Sequence, residues 1–278
     1  TVYPGDKLYA VTENGKTILR KKVSKEERDK IKEFNRVFYE VEAEIYDDRH
    51  PEVLEGNQDW WNAIGEELLN ATRNGEGFRI LDVGSGTGFV CHALGKYLKT
   101  PDRFICYDLS PAMLMEARKK LGTTNICNIG YYCGESDTLP FKSGTFDLVT
   151  INALLHHLSD YAPLLKEADR VLKKDGHIII AHEPNKLFFA SPVARLGASF
   201  YKMLGLGKTL TDEMQVLVNK ELRRKGLADQ DLSKDEILRV VEFNSPVEQS
   251  RVAVSKDKGL IPQELIDTYF PGYQVVEL

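Results

Sequence analysis

Residues 80–89 read Ile-Leu-Asp-Val-Gly-Ser-Gly-Thr-Gly-Phe, ILDVGSGTGF, and this stretch decides the fold. An apolar run ends in the acid Asp82 and passes directly into a turn with glycine at 84, 86 and 88. Glycine permits positive φ and close approach of a ligand to the backbone. Phe89 to Leu98 then reads as a helix whose N-terminus faces the pocket so formed. Strand–turn–helix units of this kind build parallel sheets that bind ligands at the carboxyl ends of their strands. A dinucleotide fingerprint needs its third glycine at position 89, where this chain has Phe89. Asp82 repels a pyrophosphate and attracts a cation, so the pocket suits a positively charged nucleoside better than NAD.

Composition narrows the class. A chain of 278 residues buries a sizeable core, and apolar strands alternating with amphipathic helices predict one α/β domain with additions. The formal charge of −5, with Lys and Arg scattered along the chain, argues against a nucleic-acid substrate. Cys91, Cys106, Cys127 and Cys133 show no metal spacing and read as small apolar residues in a reducing cytoplasm. No secretory segment is recognised at the start. The apolar stretch from Leu187 to Leu206 is broken by Pro192, Arg195 and Gly197, so no transmembrane span is expected.

Further motifs follow in order. Phe104 to Tyr107 is a second apolar run, ending in Asp108 twenty residues past Gly88; Ser110 and Pro111 then open a helix as N-cap and first helical residue. Gly134 to Phe141 (GESDTLPF), Phe146 to Leu158 (FDLVTINALLHHL) and Leu172 to Asn185 (LKKDGHIIIAHEPN) complete the series. From about Ile80 to Asn185 the chain resembles class I S-adenosylmethionine (SAM)-dependent methyltransferases of the Rossmann-like, small-molecule type. The resemblance implies an α/β fold with a doubly wound, mostly parallel sheet, an N-terminal helical cap and a helical insertion after core strand five. It implies SAM as methyl donor and S-adenosylhomocysteine as product; SAM carries an ammonium and a sulfonium and no phosphate. Carried onto this sequence, the cofactor site comprises Asp82 with Gly84, Ser85, Gly86, Thr87 and Gly88. Asp108 sits on the ribose hydroxyls, with Leu109 and Met113. Glu135 takes the adenine amino group, with Ser136 beside it and Asp137 as the alternative if the loop register slips. Asn152 lends its backbone carbonyl to the ammonium, next to Ala153, and Tyr46 with Asp47 closes over the methionine end.

Methyl transfer from a sulfonium has a good neutral leaving group, so alignment and exclusion of water are the main tasks. A base is needed where the acceptor must lose a proton. His156 and His157 follow core strand four, and His182 and Glu183 end core strand five, all at the expected mouth of the pocket. The resemblance points to His157 or His156 as base, with His182 or Glu183 orienting it or contacting the acceptor; at least one of the adjacent histidines is expected to be structural. No metal site is expected, because the reaction needs no Lewis acid and adjacent histidines seldom chelate one ion. Asn152-Ala153-Leu154-Leu155 departs from the Pro-Pro-aromatic tetrad of amino-directed DNA and glutamine methyltransferases. That departure argues against those substrates, and the apolar stretch from Leu187 to Leu206, read as a lid, suggests a small aromatic or lipophilic acceptor methylated on O, N or C. A SAM-binding sensor or partner subunit without chemistry is the alternative, and an NAD-dependent oxidoreductase a third.

The organisation expected along the chain is a β-hairpin over 1–23 around Asn14-Gly15, a helical cap over 24–75 opened by Ser24 and Glu27, the SAM-binding core over 76–186, a helical lid over 187–258 and a return to the sheet as strand six over 259–278. The lid ranks first as an acceptor cover, second as a homodimer interface and third as a membrane-surface element. The seventh strand usual in the family is not recognised; either the chain stops short of it or another element, such as the hairpin, covers the edge.

Overall fold

The computed structural model describes residues 8–13, 16–21, 24–51, 58–69, 77–124, 126, 128–183, 210–242, 262–271 and 273. Strands β1 (Leu8–Glu13) and β2 (Lys16–Lys21) pair antiparallel, with Leu8 opposite Lys21 and Glu13 opposite Lys16. That register closes over two residues, Asn14 and Gly15, which lie outside the described ones.

The central sheet is formed by β3 (Arg79–Val83), β4 (Arg103–Asp108), β5 (Ile129–Cys133), β6 (Phe146–Asn152) and β7 (Leu172–Ala181), in the order β5-β4-β3-β6-β7. All four neighbouring pairs are parallel. The chain steps outward from β3 through β4 and β5, then returns to the other side of β3 as β6, and this reversal opens a crevice at the strands' carboxyl ends. Alternate residues of β3 face opposite ways, as a strand's two-residue period requires. Ile80 packs with Trp61, Leu94, Ala117 and Leu121 from helices α3 (Gln58–Ile64), α4 (Phe89–Leu94) and α5 (Pro111–Leu121). Leu81 packs with Leu164, Leu165 and Ala168 of α6 (Ala162–Val171) and Leu265 of α9 (Pro262–Tyr269). Both faces of the sheet are therefore covered, and its strands read as continuous apolar runs.

A third core joins α1 (Lys25–Glu42) to α7 (Asp212–Arg224) and α8 (Lys234–Glu242) through Phe34, Val37, Phe38, Met214, Val218, Leu222, Ile237 and Val241. The expected cap and the expected insertion thus share one helical layer, although some 170 residues separate them in sequence. Each helix starts on its own cap: Ser24 Oγ accepts from Glu27 N at 3.1 Å, Thr211 Oγ1 from Met214 N at 3.2 Å, and Ser233 and Glu236 bond reciprocally at 2.8 and 3.3 Å.

Three expectations about elements change. The helix after the glycine turn ends at Leu94, and Gly95–Tyr97 tightens into a 3₁₀ turn. Leu172 to Gly176, which by resemblance to the family would be a helix end and tight turn, is strand: α6 stops at Val171, and β7 begins at Leu172 with a register shift against β6 between Phe146 and Leu148. The return segment contains helix α9; the expected strand six falls largely on residues 274–278, outside the described ones, as does the apolar stretch from Leu187 to Leu206. Among the described residues, no helix is long and apolar enough to cross a membrane.

Candidate active site

The glycine turn is built as its sequence requires. Gly84, Gly86 and Gly88 hold φ of 74°, 51° and 80°, a region costly for side-chain-bearing residues. A Cβ at Gly88 would come within 2.8 Å of Leu121 Cδ1, whereas one at Gly86 would meet nothing within 4 Å, so the backbone at Gly86 lies open to the crevice. Gly84 N and Ser85 N donate to Tyr107 O at 2.8 and 3.1 Å, tying the turn to β4.

Two acids stand behind this turn. Asp108 accepts from Gly86 N at Oδ2 and from Ser110 N at Oδ1, both at 2.8 Å. The Leu109 N–H also bonds this carboxylate, and with about four acceptor positions in all one remains for a ligand's hydroxyl. Burial raises the Asp108 pKa against the opposing pull of its backbone donors. Asp82 is fully enclosed between β4 and β6, and its Oδ1 accepts from Thr150 Oγ1 at 2.7 Å. Burial pushes its pKa up to about 7, the Thr150 hydroxyl opposes that rise, and the neighbouring Asp108 charge adds to it. Asp82 Oδ2, Ser85 Oγ and Asn152 Oδ1 are buried without a hydrogen-bond partner among the described residues. Unpaired buried polar atoms are costly, and these three oxygens at the carboxyl ends of β3 and β6 are acceptors of the kind an ammonium needs.

In front of the turn runs a cleft. Its core wall includes Gly84, Gly86, Asp108, Leu109 and Met113; Glu135 and Ser136 line it from the loop after β5, Ala153, Leu154 and His157 from the turn after β6, and Asn35, Tyr39 and Tyr46 from the cap. It encloses about 120 Å³, less than ligand pockets usually do. Lys32 of α1 closes one end, with Nζ 2.7 Å from Glu135 Oε2 and 2.9 Å from Asp137 Oδ2. Burial works against the Lys32 ammonium, but its bonds to the two acids prevail and raise its pKa. Both acids considered for the adenine contact are thus paired with Lys32.

The short helix α2 (Tyr46–Arg49) holds the other end. Asp47 accepts from Thr87 Oγ1 at 2.5 Å and pairs with Lys120 Nζ at 2.7 Å. Its neighbours Arg49 and His50 both meet the buried Glu42, and His50 stacks on Tyr46 with ring centres 4.2 Å apart.

The histidines separate sharply. His157 lines the cleft, and its Nδ1 lies 3.1 Å from Val241 O at the end of α8. A carbonyl only accepts, so Nδ1 carries the proton and Nε2 is left to accept from Tyr39 Oη, 3.0 Å away. His156 faces away from the cleft, its Nδ1 2.9 Å from Glu183 Oε2. Glu183 also accepts from Leu154 N and Leu155 N at 2.7 Å and from His156 N at 3.1 Å, capping the turn Leu155–His157.

Residues 81–180 match the family described as "Methyltransferase domain". The chain is similar to demethylmenaquinone methyltransferase of Lactococcus lactis, 29% identical over 219 residues that cover 74% of this chain and 84% of the relative. It is also similar to the ubiquinone/menaquinone biosynthesis C-methyltransferase UbiE of Vibrio parahaemolyticus, 30% identical over 172 residues covering 62% of each. Residues 81–180 thus form a methyltransferase domain, of the SAM-dependent, Rossmann-like kind. Among solved structures, a SAM-dependent methyltransferase from Aquifex aeolicus is 25% identical over 49% of this chain and 68% of its own, with a TM-score of 0.39.

Within the methyltransferase, the sequence-derived residues fall into two groups. Tyr46, Gly84, Gly86, Asp108, Leu109, Met113, Glu135, Ser136, Ala153 and His157 line the cleft. Asp82, Ser85, Thr87, Gly88 and Asn152 do not line it, and the Thr87 hydroxyl is directed to Asp47. Glu183 is a turn cap that holds His156 and does not reach the cleft. His182, at φ 61° and exposed, does not line it either. Sequence reading missed Tyr39, Asn35 and Lys32. Their signal was the polar stripe 28, 32, 35, 39 along α1, eclipsed by the apolar stripe of Phe34 and Phe38 beside it.

Asp108→Ala should weaken S-adenosylhomocysteine binding by roughly 1–3 kcal/mol, the scale for bonds to a charged acceptor. Calorimetric titration measures it, with Asp108→Asn as the control that keeps an acceptor near Gly86 N. Unchanged affinity in both would move the ribose elsewhere.

Proposed function

We propose that the enzyme methylates a small, hydroxylated aromatic or lipophilic molecule that lies between α1 and the turn after β6, with His157 and Tyr39 as its proton-accepting pair. One observation carries this reading: a single cleft runs from Gly84 and Asp108 to Tyr39 and His157. Asp108 and the backbone around Gly86 would hold the nucleoside of SAM, and Asp82 with the unpaired atoms of Ser85 and Asn152 would face its ammonium. When bound, SAM supplies an electrophilic methyl group on a positively charged sulfur.

This chain's residues do the rest. Ile31, Tyr39, Tyr46, Leu154 and Leu158 give the cleft an aromatic and apolar wall, which selects rings and keeps water out. The relatives named for quinone methylation support a ring-shaped acceptor. Tyr39 Oη receives the acceptor's proton as its own passes to His157 Nε2, and Val241 O holds the opposite ring nitrogen as the imidazole becomes charged. The carbonyls at the C-terminal end of α8 favour that positive charge.

The test is transfer of a labelled methyl group from SAM to a panel of hydroxyarenes, quinones and amines. Product is expected with the hydroxyarenes. Tight S-adenosylhomocysteine binding with no product from the panel or from cell extract would instead support the sensor reading.

A further inference from the structure

Asn35 belongs to the cleft wall of α1, yet it is only 7% exposed. Its Nδ2 donates to His157 O at 3.1 Å. That bond fixes which way the carboxamide points, because a carbonyl oxygen must be met by the amide nitrogen. The other end, Oδ1, is shielded from solvent and has no hydrogen-bond partner among the described residues. A buried acceptor left unpaired is a standing cost, and buried side-chain polar atoms are paired in the large majority of cases. One turn along the same helix face, the Tyr39 hydroxyl proton is directed to His157 Nε2, so the Tyr39 oxygen meets any third group as an acceptor. On this part of the wall Asn35 Oδ1 therefore asks for a donor.

We infer that Asn35 is a specificity-determining residue: its Oδ1 takes a hydrogen bond from an O–H or N–H group of the methyl acceptor, selecting donor-bearing rings over the same rings with that group alkylated. The inference rests on the acceptor lying between α1 and the turn after β6, as proposed above. An ether in the same place leaves Oδ1 buried and unpaired. Sites built to bond a substrate's O–H or N–H reject analogues lacking it far more strongly than apolar pockets distinguish a methylene. The bond from Nδ2 to His157 O also couples this recognition to the turn that carries the proposed base, so a bound donor and the His157 backbone are held by one side chain.

The test uses the full chain saturated with S-adenosylhomocysteine, titrated with 2-naphthol, 2-naphthylamine and 2-methoxynaphthalene. Wild type should favour the two donor-bearing rings over the ether by about tenfold or more. Asn35→Ala, a change favourable to a helix, should bring that preference to within about twofold without altering S-adenosylhomocysteine affinity. Asn35→Asp keeps an acceptor at the same place and should retain the preference. Preference intact in Asn35→Ala, or lost equally in Asn35→Asp, would overturn the inference alone. A fall in S-adenosylhomocysteine affinity with preference unchanged would make Asn35 a cofactor contact and overturn it as well. No binding of any naphthalene to any of the three proteins would overturn the proposed acceptor position itself.

Discussion

His157→Ala is expected to lower kcat by about 10²–10⁴-fold, the usual range for a positioned general base, while S-adenosylhomocysteine affinity stays within about threefold of wild type. Of the two adjacent histidines, only His157 lines the cleft. Its tautomer is set by Val241 O, which leaves Nε2 to Tyr39. In the proposed relay Tyr39 and His157 act together, so Tyr39→Phe should also slow turnover, and the double variant should be little worse than His157→Ala alone. His156→Ala should act differently. Its imidazole sits against Glu183, which caps the turn, so the change should lower thermal stability more than it lowers kcat. Steady-state kinetics with the hydroxyarene acceptor decide the matter, and a His157→Ala rate within threefold of wild type would mean that no base acts at this position.

Asp82→Asn should make the ligand-free protein more stable and the enzyme a poorer binder. Burial raises the Asp82 pKa from 3.8 to about 7, so the folded chain holds this proton more tightly than the unfolded chain does. The stability that follows is fully present below about pH 3.8 and is lost as pH rises through about 7. At pH 8 the ionised carboxylate costs on the order of 4 kcal/mol relative to the neutral acid. Asparagine has the same shape and still accepts from Thr150 Oγ1, so the variant should melt higher than wild type at pH 8, with a gain that shrinks on acidification. The same charge is what a ligand ammonium would pair with. S-adenosylhomocysteine affinity of the wild type should therefore rise with pH through about 7 and level off, and in Asp82→Asn it should be about tenfold or more weaker with that rise removed. Equal melting temperatures of the two proteins at pH 8 would refute the first part, and parallel pH profiles the second. Functional sites commonly carry such a cost in stability.

The core was legible because its signals are local. ILDVGSGTGF combines strand, acid and positive-φ turn in ten residues, and Ser110-Pro111 announces a helix start that the structure realises, with Ser110 Oγ accepting from Met113 N at 3.3 Å. The catalytic side was only half legible, for reasons of distance. Tyr39 meets His157 across 118 residues and Val241 meets it across 84, and neither partner lies in a motif. Glu183, expected to orient a histidine or contact the acceptor, meets His156 and not His157. Its place at the end of core strand five fits a catalytic partner, but three backbone N–H groups of the following turn compete for the same carboxylate and hold it. Likewise Glu135 occupies the position that the family gives to adenine recognition, while Lys32, reaching from a helix one hundred residues earlier, pairs with it. Cap and insertion looked like separate additions because they lie far apart in sequence; only their shared core shows that α1, α7 and α8 form one layer, of which α1 lines the cleft.

A crystal structure of the enzyme with S-adenosylhomocysteine bound tests the central claim most directly. It should show the ribose on Asp108, the amino-acid end beside the glycine turn, and the sulfur on the side of the cleft shared by Tyr39 and His157. A nucleoside seated elsewhere, or one whose sulfur is turned away from those two side chains, would contradict the account.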